Sequence, residues 1–113
     1  MTLPVQTRRR LRNRREHELI EFEHAGIRYT AGAGRFEDGD LAEIFLNTRR
    51  HGTAVDVAAR DAAVAASLLL QHGCHVDTLR KALTRNGDGS ASGPLARALD
   101  LLATAHQKIE QPS

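Results

Sequence analysis

The strongest constraint on this fold is an alanine-rich segment at residues 54–72 that is apolar over most of its circumference. Plotted as a helix, its polar side chains fall within about 60° of arc; they are Asp56, Arg60, Ser67 and Gln71. The opposite side carries Val55, Ala58, Ala59, Ala62, Ala65, Ala66, Leu69 and Leu70. A helix this apolar is expected to be buried on more than one side, against a sheet and either later helices or another subunit.

Capping signals mark both ends of this helix. The Thr53 hydroxyl is placed to accept the backbone N–H of Asp56, whose carboxylate can reach back, as in a capping box. Gly73 is expected to end the helix. Asp56, Arg60 and Asp61 could serve acid–base chemistry if they were buried, but a spacing of four residues is more typical of a solvated ion pair. We therefore predict that Asp56 and Arg60 form such a pair.

Three segments before the helix predict an antiparallel meander. The strands are expected at residues 17–24, 27–36 and 41–47. In the first strand Ile20 and Phe22 alternate with glutamates, which places the apolar groups on one face. Ala25-Gly26 reads as a turn, and Asp38-Gly39 suits a tight hairpin. The third strand is apolar on both faces, as expected of a strand that is central or covered by a helix.

Two further helices are expected after Gly73. Residues 77–84 form a short helix with Leu79 and Leu83 inward, and Ser92-Gly93-Pro94 begins another, since proline is tolerated in a first helical turn. The apolar stripe of that last helix is Leu95, Ala98, Leu99, Leu102 and Ala105. The predicted fold class is α+β: a three-stranded antiparallel sheet followed by a long alanine-rich helix and two further helices packed on it. We place the domain at residues 17–108 and a flexible C-terminus at 109–113.

A basic arm precedes the domain. Residues 1–15 contain no acid and six arginines, while the rest of the 113-residue chain holds ten bases and fourteen acids. The arginines are Arg8, Arg9, Arg10, Arg12, Arg14 and Arg15. Their mutual repulsion predicts that residues 1–16 are disordered. Such a cluster can neutralise nucleic-acid phosphates, although no aromatic residue is interleaved for base stacking and the arm could equally be a solubilising tail.

The only cysteine, Cys74, lies between two histidines. His72, Cys74 and His75 could bind zinc if His51 or His24 supplied a fourth ligand. The alternative is a helix C-terminus with its histidines placed well for the helix dipole. A lone cysteine excludes an internal disulfide and favours a reducing compartment. Cys74 is also a candidate reactive thiol, in which case the chain would be a thiol or metal sensor.

Other sequence patterns bear on ligands and location. Gly32-Ala33-Gly34 is a partial phosphate-binding loop, but it lacks the third glycine and the following helix. The alternative is a bulge or a close approach of the helix backbone. No apolar stretch follows Arg15 as a secretory signal requires, and none reaches the roughly 20 residues of a membrane span. We therefore expect a cytoplasmic protein.

Several segments, taken together, match the order of a known domain. They are Gly34 to Asn47 with Glu43-Ile44-Phe45 inside it, His51-Gly52-Thr53, Ala65 to Gly73 with Ser67-Leu68-Leu69-Leu70-Gln71, and Val76 to Leu79. This order resembles the TSCPD domain family, best known as the C-terminal region of adenosylcobalamin-dependent (class II) ribonucleotide reductases. The resemblance covers about residues 18–104. It implies a hairpin, a Glu-Ile-Phe strand, a long helix that starts at Gly-Ser/Thr, and a short leucine-rich helix.

The departures from the family decide which functions can be transferred. The Thr-Ser-Cys-Pro-Asp signature and the paired cysteines of some members are absent. Reducing a ribose hydroxyl consumes two electrons, normally from a dithiol, and Cys74 is one thiol. We therefore assign no catalytic, cofactor-binding or metal-ligating residues, and adenosylcobalamin enters only through a partner reductase.

Two functions from different classes follow from these observations. The resemblance implies a non-catalytic accessory or interaction module in deoxyribonucleotide (DNA precursor) synthesis, with a ribonucleotide reductase subunit as a partner. The alternative is a small nucleic-acid-binding protein that uses the arm. The apolar helix surface and the exposed sheet edge also predict self-association into a homo-oligomer.

Overall fold

The computed structural model describes residues 17–110, and the side chains of residues 17–103. The elements are β1 (His17–His24), β2 (Ile27–Arg35), β3 (Leu41–Thr48), α1 (Ala54–Gln71), α2 (Val76–Ala82) and α3 (Pro94–Glu110). The α+β prediction is confirmed, with element boundaries within two residues of those expected for the strands and the first two helices. The predicted disordered arm and the last three residues of the predicted flexible C-terminus lie outside the described residues.

The three strands form an antiparallel sheet in the order β1-β2-β3. The first turn places Ala25 and Gly26 at positive φ, 52° and 79°. In the second turn Phe36 N–H donates to the Asp40 carbonyl at 2.8 Å, and Gly39 has a φ of 94°. Glycine has no Cβ, so it adopts this conformation without strain. Both turn predictions are therefore confirmed.

One face of the sheet carries the core. Residues two apart on each strand point to this face, and the helices add small and aliphatic side chains to it. The buried cluster includes Phe22, Tyr29, Ala31, Ala33, Ile44 and Leu46 from the sheet, Ala59, Ala63, Ala66 and Leu70 from α1, Leu79 from α2, and Ala98, Leu99 and Leu102 from α3. Phe22 and Tyr29 stack with ring centroids 5.4 Å apart. The core is mostly aliphatic, as the low aromatic content requires.

The long helix α1 is oriented differently from the expectation. Most of its polar stripe is turned inward: Asp56 is 1% and Gln71 3% exposed, and Ser67 is partly buried, whereas Arg60 stays exposed. Much of its apolar surface is turned outward, including Val55, Val57, Val64, Leu68 and Leu69. The later helices do not cover this surface. The expectation that they would do so was therefore wrong, and burial of the surface against another subunit stays a prediction.

The reason for this orientation is the outer edge of β3. A strand at a sheet edge presents backbone N–H and C=O groups that need partners when a helix covers them. The Ile44 N–H donates to Ser67 Oγ at 2.9 Å, and the Ser67 hydroxyl donates to the Ile44 carbonyl at 3.0 Å. Gln71 Nε2 donates to the Ala42 carbonyl at 3.1 Å. The polar stripe of α1 thus takes the place of a fourth strand.

Replacing Ser67 with alanine tests this edge contact. The Ser67→Ala variant leaves the N–H and the carbonyl of Ile44 without their partner, so we expect the free energy of unfolding to fall by about 1–3 kcal/mol. Urea denaturation measures the change. Thr78→Ala removes an exposed hydroxyl from α2 and is expected to change stability by less than about 0.5 kcal/mol. Equal stabilities for the two variants would show that the edge contact contributes nothing.

Candidate functional site

The site begins with a buried carboxylate at the start of α1. Asp56 accepts hydrogen bonds from the Thr48 N–H at 2.8 Å, the Gly52 N–H at 3.1 Å and Arg60 Nε at 2.8 Å. These contacts, with the Thr48 N–H first, hold the pKa of Asp56 well below its usual range, although burial opposes the shift. Hydrogen bonds to Asp56 therefore connect the end of β3 and the following loop to the first turn of α1.

Two predictions about Asp56 are corrected in part. The predicted ion pair between Asp56 and Arg60 exists. It is not a solvated pair, however, because the Asp56 carboxylate is buried against the backbone groups that donate to it. Thr53 Oγ1 accepts the Asp56 N–H at 3.2 Å, as the capping box requires. The Asp56 carboxylate reaches back to the Gly52 N–H instead of completing the box at Thr53.

A groove lies between β3 and α1 on the sheet face opposite the core. It has a volume of about 300 Å³. Phe45, Val64 and Leu68 line it and are 50%, 58% and 43% exposed. Glu43, Asn47, Arg60, Ser67 and Gln71 add polar groups. We call this surface the open-face groove.

Gly32 extends the apolar surface of the groove across the sheet. A Cβ at Gly32 would lie 3.4 Å from Leu19 Cδ2 and 3.5 Å from Phe45 Cδ2, so the missing side chain lets these two residues approach from either side. Leu19 is 76% exposed. The apolar surface therefore runs from β1 across β2 and β3 to α1.

Two of the four segments that carry the TSCPD resemblance, Gly34 to Asn47 and Ala65 to Gly73, meet at this groove. Ser67 and Gln71 hold the edge of β3 from α1, and Glu43 lies on β3 over Gly34, where a Cβ would be 2.8 Å from Glu43 Oε1. Glu43 is 8% exposed. Residues that are separated by more than twenty positions along the chain thus form one surface.

The partial phosphate loop Gly32-Ala33-Gly34 lies inside β2 and pairs with both neighbouring strands. The alternative interpretation is confirmed in one respect, since the register shifts between Gly34 and Arg35. The close contacts at Gly32 and Gly34 come from side chains of β1 and β3, not from a helix backbone. The expectation of a close helix backbone was therefore wrong.

The proposed zinc ligands are held in separate places. His72 is the C-cap of α1, with Nδ1 2.8 Å from the Leu68 carbonyl, and His75 is the N-cap of α2. His51 lies 2.8 Å from Arg60, and His24 lies 2.9 Å from the Ser92 carbonyl. Among the described residues, no three His, Cys, Asp or Glu side chains form a group that could hold a metal ion. The predicted helix end is confirmed, with Gly73 at a φ of 97°.

The remaining candidates have different outcomes. Cys74 is partly buried beside the core cluster, with Sγ 3.6 Å from the His75 carbonyl. Its role as a reactive thiol stays a prediction. The six arginines of the arm lie outside the described residues. None of the described helices is long and apolar enough to cross a membrane.

Comparisons with known proteins identify no family. No family model, no curated protein and no solved structure matches the chain. The TSCPD resemblance therefore stays a prediction that depends on the residues quoted above.

The open-face groove was not found from the sequence. The third strand was expected to be apolar on both faces, which was a signal that Phe45 would need a partner on the second face. The missing information was the position of α1, because helical periodicity does not say which side of a helix meets a sheet.

The low pKa of Asp56 makes stability depend on pH. Since this pKa is lower in the folded than in the unfolded chain, the ionised carboxylate stabilises the fold above about pH 4, and the stabilisation is lost as the pH falls. We expect Asp56→Asn to be less stable at pH 7 and to lose less stability between about pH 5 and pH 2. Asp100, whose pKa is also lowered, chiefly by Arg85, titrates in both proteins.

Thermal unfolding across this pH range measures the difference, with Asp61→Asn as the control. Asp61 is exposed on the same helix, so its variant is expected to keep the wild-type pH dependence. An Asp56→Asn curve parallel to the wild type would show that Asp56 is not the titrating group.

Proposed function

We propose that this chain is a TSCPD-like accessory module in deoxyribonucleotide synthesis, and that a ribonucleotide reductase subunit docks on its open-face groove. The observation that carries this proposal is the convergence of Glu43, Phe45, Ser67 and Gln71 on one surface. These residues belong to the segments on which the family resemblance depends. The resemblance is the reason for choosing a reductase as the partner.

The shape and composition of the groove suit a protein partner. Leu19, Phe45, Val64 and Leu68 are large apolar side chains that remain substantially exposed. A contiguous apolar patch rimmed by polar groups is typical of a protein interaction site, and aromatic residues at the centre of such a patch often dominate the binding energy. Arg60 and Asn47 supply the polar rim.

An accessory role also agrees with the chemistry of the thiol. Nucleotide reduction requires two electrons from a dithiol and a cofactor that generates a radical, and this sequence contains the single Cys74. In the proposal, adenosylcobalamin and the substrate are bound by the partner reductase.

Co-purification tests the proposed partner. The full-length tagged chain is expected to retain a ribonucleotide reductase subunit, and Phe45→Ser is expected to reduce the retained amount by about tenfold, since central aromatic residues contribute 1 kcal/mol or more. Leu69→Ser is the matched control, because Leu69 is 48% exposed on another flank of α1. It is expected to retain the subunit.

Three outcomes would contradict the proposal. Failure to retain any reductase subunit would contradict the proposed partner. Unchanged deoxynucleotide pools on deletion of the gene would contradict the proposed metabolic role. A dimeric sedimentation mass that Phe45→Ser abolishes would assign the groove to a second copy of this chain, which is the predicted self-association.

The second candidate function is nucleic-acid binding through the arm. Six arginines within residues 8–15 favour it, because each phosphate that they neutralise releases counterions. In a salt titration, the full-length chain is expected to bind single-stranded DNA with an affinity that falls steeply as salt rises. A full-length variant with all six arginines changed to glutamine should lose most of this slope. Equal, weak binding by both proteins would end this candidate.

A further inference from the structure

A second cleft lies where β3 enters α1, away from the open-face groove. It has a volume of about 480 Å³. Its lining comes from the β1–β2 turn, the end of β3 and the first turn of α1, and consists of Gly26, Ile27, Arg28, Thr48, Arg49, Arg50, Thr53 and Val55. Three arginines and the two apolar residues Ile27 and Val55 thus line one cleft.

The loop that carries two of these arginines is held by hydrogen bonds at both ends. Asp56 binds the N–H groups of Thr48 and Gly52, which flank Arg49 and Arg50. The Arg50 carbonyl accepts from Thr48 Oγ1 at 3.3 Å and from Thr53 Oγ1 at 3.0 Å. The backbone from which these two side chains project is therefore organised before any ligand arrives.

The side chains of the two loop arginines contribute no polar contact to the fold. Within the described part of the chain, the side chains of Arg49 and Arg50 make no hydrogen bond or ion pair, and both residues are exposed. Arg28 has acidic neighbours: it lies 4.0 Å from Glu21 and pairs in register with Glu23. Exposed pairs of this kind are weak.

Other arginines of the domain show the contrast. Arg35, Arg60, Arg80 and Arg85 each bind a carboxylate at 2.5–2.8 Å. The carboxylate nearest to the loop, Asp56, is already occupied by two backbone N–H groups and Arg60. The positive charges of Arg49 and Arg50 are thus available to bind an anionic ligand.

We propose that this cleft binds the phosphate group of a phosphate ester, with Arg49 and Arg50 as the principal contacts and Arg28 as a further lining residue. A guanidinium presents a planar fork of donors that matches phosphate oxygens. The apolar lining residues Ile27 and Val55 suit a nucleobase next to the phosphate. A free nucleotide and a nucleic-acid backbone share this chemistry, and the site does not depend on the partner proposed for the open-face groove.

Calorimetric titration of the full-length chain tests the site with three probes: inorganic pyrophosphate, dATP and a single-stranded DNA 12-mer. The double variant Arg49→Gln, Arg50→Gln is expected to bind the preferred probe at least about tenfold more weakly, since two charge-assisted hydrogen-bonding groups are lost. Arg97→Gln, which removes an exposed arginine from α3, is the matched control and is expected to stay within about twofold of the wild type.

Each outcome decides a part of the proposal. If the double variant loses binding of dATP or pyrophosphate but not of DNA, the phosphate ester is a free nucleotide. If it loses binding of DNA but not of the other two probes, the phosphate ester is a nucleic-acid backbone. No saturable binding of any probe by the wild type would overturn the site. So would equal binding by the double variant and Arg97→Gln. Thermal midpoints of all variants near the wild-type value would exclude misfolding as the cause.

Discussion

The arrangement of this domain depends on how the outer edge of β3 is satisfied. Ile44, Ala42 and Thr48 direct backbone groups away from β2, and Ser67, Gln71 and Asp56 of α1 meet them. Backbone groups covered by a helix cost free energy when they lack partners. A helix with a fully apolar inner face could pack on this sheet, but it could not close its edge. The narrow polar stripe therefore sets the rotation of α1 about its axis.

That rotation produces both surfaces to which we assign a function. Turning Ser67 and Gln71 toward β3 places Val64 and Leu68 beside Phe45, which forms the open-face groove. At the other end of the stripe, Asp56 holds the loop that presents Arg49 and Arg50. A protein-docking groove and a phosphate-binding cleft would then depend on one set of edge contacts.

Much of the fold could be predicted from the sequence, because alternating and helical periodicities are local properties. They located the strands, the turns at Ala25-Gly26 and Asp38-Gly39, and the limits of α1. The polar stripe itself was also recognised. Its burial was not, because hydropathy treats Asp56 and Gln71 as surface residues and carries no information about unsatisfied backbone groups on a distant strand.

The candidate sites also divide into features that local sequence predicts and features that depend on tertiary structure. Local rules placed His72 and His75 at the C-terminus of a helix; this is confirmed for His72, the C-cap of α1, whereas His75 is the N-cap of α2. The groove and the cleft each combine residues from separate elements, so only the tertiary structure brings them together. Gly32 illustrates this point, because its two close neighbours come from β1 and β3.

Amide hydrogen exchange at the edge of β3 tests the central claim most directly. If α1 supplies the hydrogen-bond partners of this edge, the amides of Ile44 and Thr48 exchange as slowly as the amides bonded between β2 and β3. The reason is that these two N–H groups donate to Ser67 and Asp56. Exchange of these two amides as fast as that of exposed loop amides, in a protein whose inter-strand amides stay protected, would contradict the account.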